Sequence, residues 1–171
     1  MTGPLTWESE GPEDTAALGA GMAPLLAPGD LVLLRGELGA GKTTLVRAVA
    51  RALGVEGPVT SPTFTVAQRY EGRVPVAHLD AYRLGAPDPE DADLLVAALE
   101  GAVGLVEWPD PLLPALPEAR IEAELRHMGG DRRLVLLAAR EPDTRSDLVR
   151  LIADLRARHR HSEPEPGPRS G

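Results

Sequence analysis

Residues 36–44 read GELGAGKTT, and no other stretch restricts the fold of this chain so tightly. Gly36, four residues, then Gly41, Lys42 and Thr43 match G-x-x-x-x-G-K-[ST], the phosphate-binding P-loop. Glycines at 36, 39 and 41 allow turns that a β-carbon would forbid, so successive backbone N–H groups can face an anion. The flanks agree. LVLLRG before the loop is the short apolar run of a buried parallel strand, and TTLVRAVARALG after it repeats apolar residues at helical spacing. Strand, glycine loop and helix in this order predict an α/β P-loop NTPase, with a mixed, mostly parallel central sheet flanked by helices. The loop residues Glu37, Leu38, Gly39, Ala40, Gly41, Lys42, Thr43 and Thr44 form the expected nucleotide cradle.

Lys42 is the one lysine beside seventeen arginines. An ammonium is a compact charge on a flexible stem and can follow the β- and γ-phosphates, whereas a guanidinium is planar and demands forked geometry. The chain also has no asparagine, so the arginine bias is a trait of overall composition and Lys42 is the exception to it.

At 171 residues the chain has the length of one domain, expected over 1–158. The last stretch, HRHSEPEPGPRSG over 159–171, is expected to be a disordered tail. With no cysteine, disulfides, zinc thiolates and thiol catalysis are excluded. No apolar run reaches membrane-spanning length and nothing marks export, so a cytoplasmic protein is expected. A net charge of −8 argues against holding nucleic acid directly, because phosphate neutralisation supplies most non-specific affinity. A role near RNA would run through a partner protein.

Patterning predicts an edge strand at LTW, a helix over 15–26 and a loop over 54–62. It then predicts a hairpin of 64–70 with 74–79, a helix over 92–99 and a buried strand over 103–108. A stiff proline connector over 109–117, a second hairpin of 119–126 with 132–139, and a helix over 146–158 complete the chain.

Three further stretches carry chemistry. VAHLDAYRL ends an apolar strand in Asp80, where P-loop enzymes place the carboxylate that orients magnesium-bound water. His78 lies two residues earlier on the same strand face and reads as a packed core histidine. VTSPTFT holds the hydroxyls of Ser61 and Thr63 around Pro62, in the place where switch loops sense a γ-phosphate. GLVEWPD sets Glu107 and Trp108 at the end of another apolar strand, where sites form in such sheets. That carboxylate could hold a metal's water shell or polarise an attacking water.

GELGAGKTT, SPTF, HLDAYRL and VEW, in this order and spacing, resemble the TsaE (YjeE) family over residues 13–140. The resemblance implies a Mg²⁺-dependent ATPase that serves formation of threonylcarbamoyladenosine next to the anticodon of tRNA. It implies TsaD and TsaB as partners, with tRNA reached only through them, and ATP hydrolysis that resets their complex between turnovers. Carried over by motif, Lys42 binds phosphate, Thr43 ligates Mg²⁺, Asp80 and Glu107 serve the metal or the water, and residues 61–64, with Thr63, act as the switch. Trp108 matches the tryptophan after the family's acid, and Thr15 and Arg133 are placed near the nucleotide. DPEDADLLVAALEGA and PDPLLPALP depart from the family's pattern.

The competing expectation is a small-molecule kinase, which shares the P-loop and length but needs an arginine-rich lid that 74–117 lacks. A GTPase would need an Asn-Lys-x-Asp element, which a chain without asparagine cannot contain.

Overall fold

The computed structural model describes residues 3–62 and 66–162. Seven strands form one sheet: β1 (Leu5–Ser9), β2 (Leu31–Arg35), β3 (Ala67–Tyr70), β4 (Val76–Asp80), β5 (Val103–Glu107), β6 (Ile121–His127) and β7 (Arg133–Ala139). Their order is β1-β7-β6-β2-β5-β4-β3. β2 pairs in parallel with β5 and β6, and β4 in parallel with β5. β7 and β3 pair antiparallel with their neighbours, so five of the seven strands run one way. The sheet is therefore mixed and mostly parallel, flanked by helices α1 (Pro12–Met22), α2 (Lys42–Ala52), α3 (Pro89–Ala97) and α4 (Pro142–Ser162).

The period of two along β2 explains the two cores. Val32 and Leu34 face one cluster, with Leu18 and Met22 of α1, Leu45 and Val49 of α2, and Leu148 and Ile152 of α4. Leu31 and Leu33 face the other, with Leu79, Val106 and Leu112. β2 is thus buried on both sides, which is why it reads as a continuous apolar run rather than an alternating one. Among the described residues no helix is long and apolar enough to cross a membrane.

Several element ends differ from expectation. α1 begins at Pro12, and its α-helical stretch stops at Met22, with a 3-10 turn over Ala23–Leu25. Pro24 lacks the N–H that would continue the ladder. α3 starts at Pro89, earlier than its apolar pattern suggests, because the Asp88 side chain accepts a hydrogen bond from the Asp91 N–H at 2.9 Å and caps it. α4 runs past 158. His159 lies 2.8 Å from an Asp14 oxygen, with its ring 5.5 Å from that of Trp7. The helix expected over 146–158 thus spans Pro142–Ser162, and residues 163–171 lie outside the described residues. The 3-10 turn Asp110–Leu112 sits within the proline connector.

α1 and α2 meet closely at Gly19. A Cβ there would stand 2.9 Å from both Ala48 Cβ and the Leu45 carbonyl oxygen. Gly19→Val is expected to cost about 1–3 kcal/mol through overpacking. A lower urea midpoint at unchanged m-value is the readout, and an unchanged midpoint would show that this contact relaxes freely.

Candidate functional site

The strand order places β5 between β2 and β4, so three parallel strands end side by side at Arg35, Glu107 and Asp80. The carboxyl ends of parallel strands are where such sheets build sites. The loop from β2 to α2 closes over them with positive φ at Gly36 (139°), Gly39 (74°) and Gly41 (101°). Gly36 is the tightest: a Cβ there would come 2.4 Å from the Leu125 carbonyl oxygen of β6. Gly41 caps α2 without a side-chain hydrogen bond. The first N–H groups of α2 therefore point from a helix start with the dipole of an anion site.

Lys42 is buried, and its ammonium donates to the carbonyls of Gly36 at 2.6 Å and Glu37 at 2.8 Å. It also lies 4.2 Å from the centre of the Trp108 ring. Burial pulls its pKa below the ordinary lysine value, opposed by the negative charges of Glu107, Asp80 and Glu37.

Glu107, at the end of β5, is 3% exposed. Its Oε1 accepts from the Thr43 hydroxyl at 3.1 Å and lies 2.9 Å from His78 Nε2. Thr43 Oγ1 is also 2.9 Å from Ser61 Oγ, so one network joins the P-loop helix, the segment before residue 63 and the β5 acid. Asp80 stands opposite Glu107 in the β4–β5 ladder, and its Oδ1 accepts from the Tyr82 N–H at 3.0 Å. Trp108 holds the one positive φ (53°) of a non-glycine among the described residues. Such a conformation is strained for a bulky side chain and persists where the surroundings enforce it. Its N–H donates to the Leu34 carbonyl at 3.1 Å, and its ring tilts 44° against Tyr82 at 4.8 Å.

A cleft of about 260 Å³ opens here. Leu38, Gly39, Gly41, Lys42, Thr43 and Thr44 line it from the loop, and Asp80, Glu107 and Trp108 from the strand ends. Ser61 and Tyr82 complete it. Glu37 contributes its carbonyl to Lys42 while its side chain is exposed, and Ala40 is buried in the core. Arg133 acts on the loop backbone: Nη2 donates to the Gly39 carbonyl at 3.1 Å, and Nη1 to those of Gly130 and Arg132. Thr15 is outside the cleft wall. It is buried on α1 with its hydroxyl 2.8 Å from Ser9 Oγ, and its methyl would sit 3.9 Å from a Cβ at Gly41. Thr63 lies outside the described residues.

These residues fit a triphosphate with Mg²⁺. Among the described residues the Lys42 ammonium touches two carbonyl oxygens and an aromatic face, with carboxylates acting on it from further off, and an anion would further offset the cost of its desolvation. The hydroxyl of Thr43 and the carboxylates of Asp80 and Glu107 are hard oxygen donors, the kind Mg²⁺ takes in ones and twos beside phosphates.

A family model described as "Threonylcarbamoyl adenosine biosynthesis protein TsaE" matches residues 9–135. The chain belongs to the TsaE family. The tRNA threonylcarbamoyladenosine biosynthesis protein TsaE of Bacillus subtilis is 37% identical over 136 residues, 79% of this chain and 85% of that protein. The protein of the same name from Streptomyces coelicolor is 46% identical over 119 residues, 67% of this chain and 80% of that one. Among solved structures, Bacillus subtilis YdiB superposes with a TM-score of 0.68 at 31% identity, covering 94% of this chain and 98% of that one.

Within this TsaE-family site, two contacts went unread in the sequence. Tyr82 stacks on Trp108, and the only hint is its spacing of two from Asp80. His78 bonds Glu107 across strands, which nothing local signals. Two further side chains anchor the segment that carries Ser61. Arg47 Nε donates to the Val59 carbonyl at 2.7 Å, and the Tyr70 hydroxyl donates to that of Thr60 at 3.1 Å.

Proposed function

We propose that this TsaE-family chain is a cytoplasmic, Mg²⁺-dependent ATPase in the biosynthesis of tRNA threonylcarbamoyladenosine. It acts with TsaB and TsaD, and its hydrolysis of ATP resets their complex between turnovers. The observation that carries this reading is that Lys42 shares one cleft at the strand ends with the hydrogen-bonded network of Thr43, Ser61 and Glu107.

In this reading the loop N–H groups and Lys42 bind the β- and γ-phosphates. Thr43, Asp80 and Glu107 would hold Mg²⁺, mostly through water. Bound Mg²⁺ would neutralise charge building on the phosphate oxygens. Glu107 orients and polarises the attacking water, and Ser61 ties the loop before residue 63 to the state of Thr43. Trp108 and Tyr82 form an apolar wall that limits water around the phosphates. Against the kinase reading, no arginine is among the described residues lining the cleft. The acidic charge of the chain favours contact with tRNA through the partners.

The test compares ATP hydrolysis by the purified chain alone and with TsaB and TsaD, for wild type and Trp108→Ala, beside a screen of small-molecule acceptors. Weak hydrolysis alone and a rise with partners are expected. Trp108→Ala should cost about tenfold more in the complex than in the free chain, equivalent to about 1.4 kcal/mol of lost contact. Efficient phosphoryl transfer to an acceptor by the isolated chain would instead establish a kinase. Unchanged hydrolysis with partners present would leave an ATPase without the resetting role.

A further inference from the structure

β4 carries His78 into the interior, where the side chain is 0% exposed and does not line the cleft. Its ring nevertheless reaches the site, with Nε2 2.9 Å from Glu107 Oε1. A carboxylate oxygen accepts, so the contact assigns the hydrogen to Nε2. Nδ1 is buried, with no hydrogen-bond partner among the described residues. An apolar side chain of similar shape would pack here with no polar atom to satisfy. The single bond to Glu107 is therefore what a histidine provides at this position.

Among the described residues Glu107 has two donors, and they differ. The Thr43 hydroxyl reaches Oε1 at 3.1 Å and Oε2 at 3.4 Å, and also lies 2.9 Å from Ser61. It is shared among three atoms, and in the proposed site it would also face the metal. Among the described residues His78 has no other hydrogen-bond partner. It pins Oε1 from the core side and leaves Oε2 as the oxygen with lone pairs to spare.

We propose that His78 is a positioning residue, whose Nε2–H bond to Glu107 Oε1 fixes the orientation of that carboxylate toward the cleft. The inference rests on the reading of Glu107 as a working group of a hydrolytic site. Side chains that hydrogen-bond a working ligand from behind orient it, and their loss typically costs about 10- to 100-fold in metal affinity or activity.

The experiment uses the full chain with His78→Leu, His78→Gln and Glu107→Ala. His78→Leu should lower kcat about 10- to 100-fold, with KM for ATP nearly unchanged, since the bond acts on orientation and not on phosphate binding. His78→Gln should recover most of the loss, because its amide nitrogen reaches a position near that of Nε2 and can donate. A packing role alone reverses this order: His78→Leu would match wild type, and His78→Gln, with its buried amide, would be worse. That order overturns the proposal. Two readouts need no turnover. Histidine ¹⁵N NMR should show a single Nε2–H tautomer for His78 in wild type and a mixture in Glu107→Ala. A crystal structure of His78→Leu should show the Glu107 carboxylate turned from its wild-type orientation. If wild type proves inactive toward ATP, the functional reading fails while these two measurements still judge His78. A mixed tautomer in wild type, or an unmoved carboxylate in His78→Leu, rejects it.

Discussion

Lys42→Arg is expected to lose ATP hydrolysis as fully as Lys42→Ala, by about 10²–10³-fold, the usual cost of removing a preorganised charge stabiliser. The arginine keeps the charge, so charge alone is not the reason. The Lys42 ammonium fits between the Gly36 and Glu37 carbonyls at 2.6 and 2.8 Å, beneath the Trp108 ring. A planar guanidinium is too wide for that slot and needs forked partners that the loop does not offer. The position is also desolvated, which pulls the Lys42 pKa down. The sign follows from linkage. The unfolded chain holds this proton more tightly, so the penalty on folding is full below the lowered pKa and fades as pH rises toward the unfolded value. Nucleotide affinity should run the other way and fall as pH rises through the lowered pKa, because the neutral amine no longer attracts phosphate. Steady-state hydrolysis and nucleotide titration, with melting curves to verify the fold, check both statements. An arginine variant with wild-type turnover would end the argument from geometry.

Glu107→Gln should retain nucleotide binding yet lower hydrolysis by about 10²–10⁴-fold, the range for loss of a group that handles a proton in the transition state. The amide is isosteric, so packing at this buried position is preserved while the negative charge is removed. Asp80→Asn should act differently, raising the Mg²⁺ concentration needed for half-maximal rate. Asp80 sits opposite Glu107 in the ladder, and among the described residues its side chain takes only the Tyr82 N–H, so it is the less constrained of the two carboxylates. Mg²⁺ titrations of both variants separate the roles. If Glu107→Gln hydrolyses ATP at the wild-type rate, the acid belongs to the metal's surroundings alone. If neither variant changes the Mg²⁺ dependence, the metal is held elsewhere.

Much of the site was legible because its parts are local. The spacing of Gly36, Gly41 and Lys42 lies within seven residues and follows from what a phosphate cradle needs of the backbone. The apolar runs that end in Asp80 and Glu107 announced strands whose ends would matter, and both residues line the cleft. The series of four motifs was enough to indicate the TsaE family, to which the chain belongs.

Other features depended on distance along the chain. Thr15 comes beside Gly41 of the loop and holds Ser9 Oγ at 2.8 Å, a placement that depends on how α1 docks against α2. α4 outlasts its apolar pattern because His159 finds Asp14 and Trp7 on elements from the other end of the chain. Arg133 grips Gly39 across 94 residues and Thr43 reaches Glu107 across 64. The sequence by itself determined the phosphate loop, the strand and helix types and the acids at the strand ends, since these arise from periodicity and backbone chemistry within a few residues. Only the tertiary structure decided that β5 lies between β2 and β4, and that His78 stands behind Glu107. Strand order and register are chosen by hydrogen bonding and burial between distant segments, which no local pattern encodes.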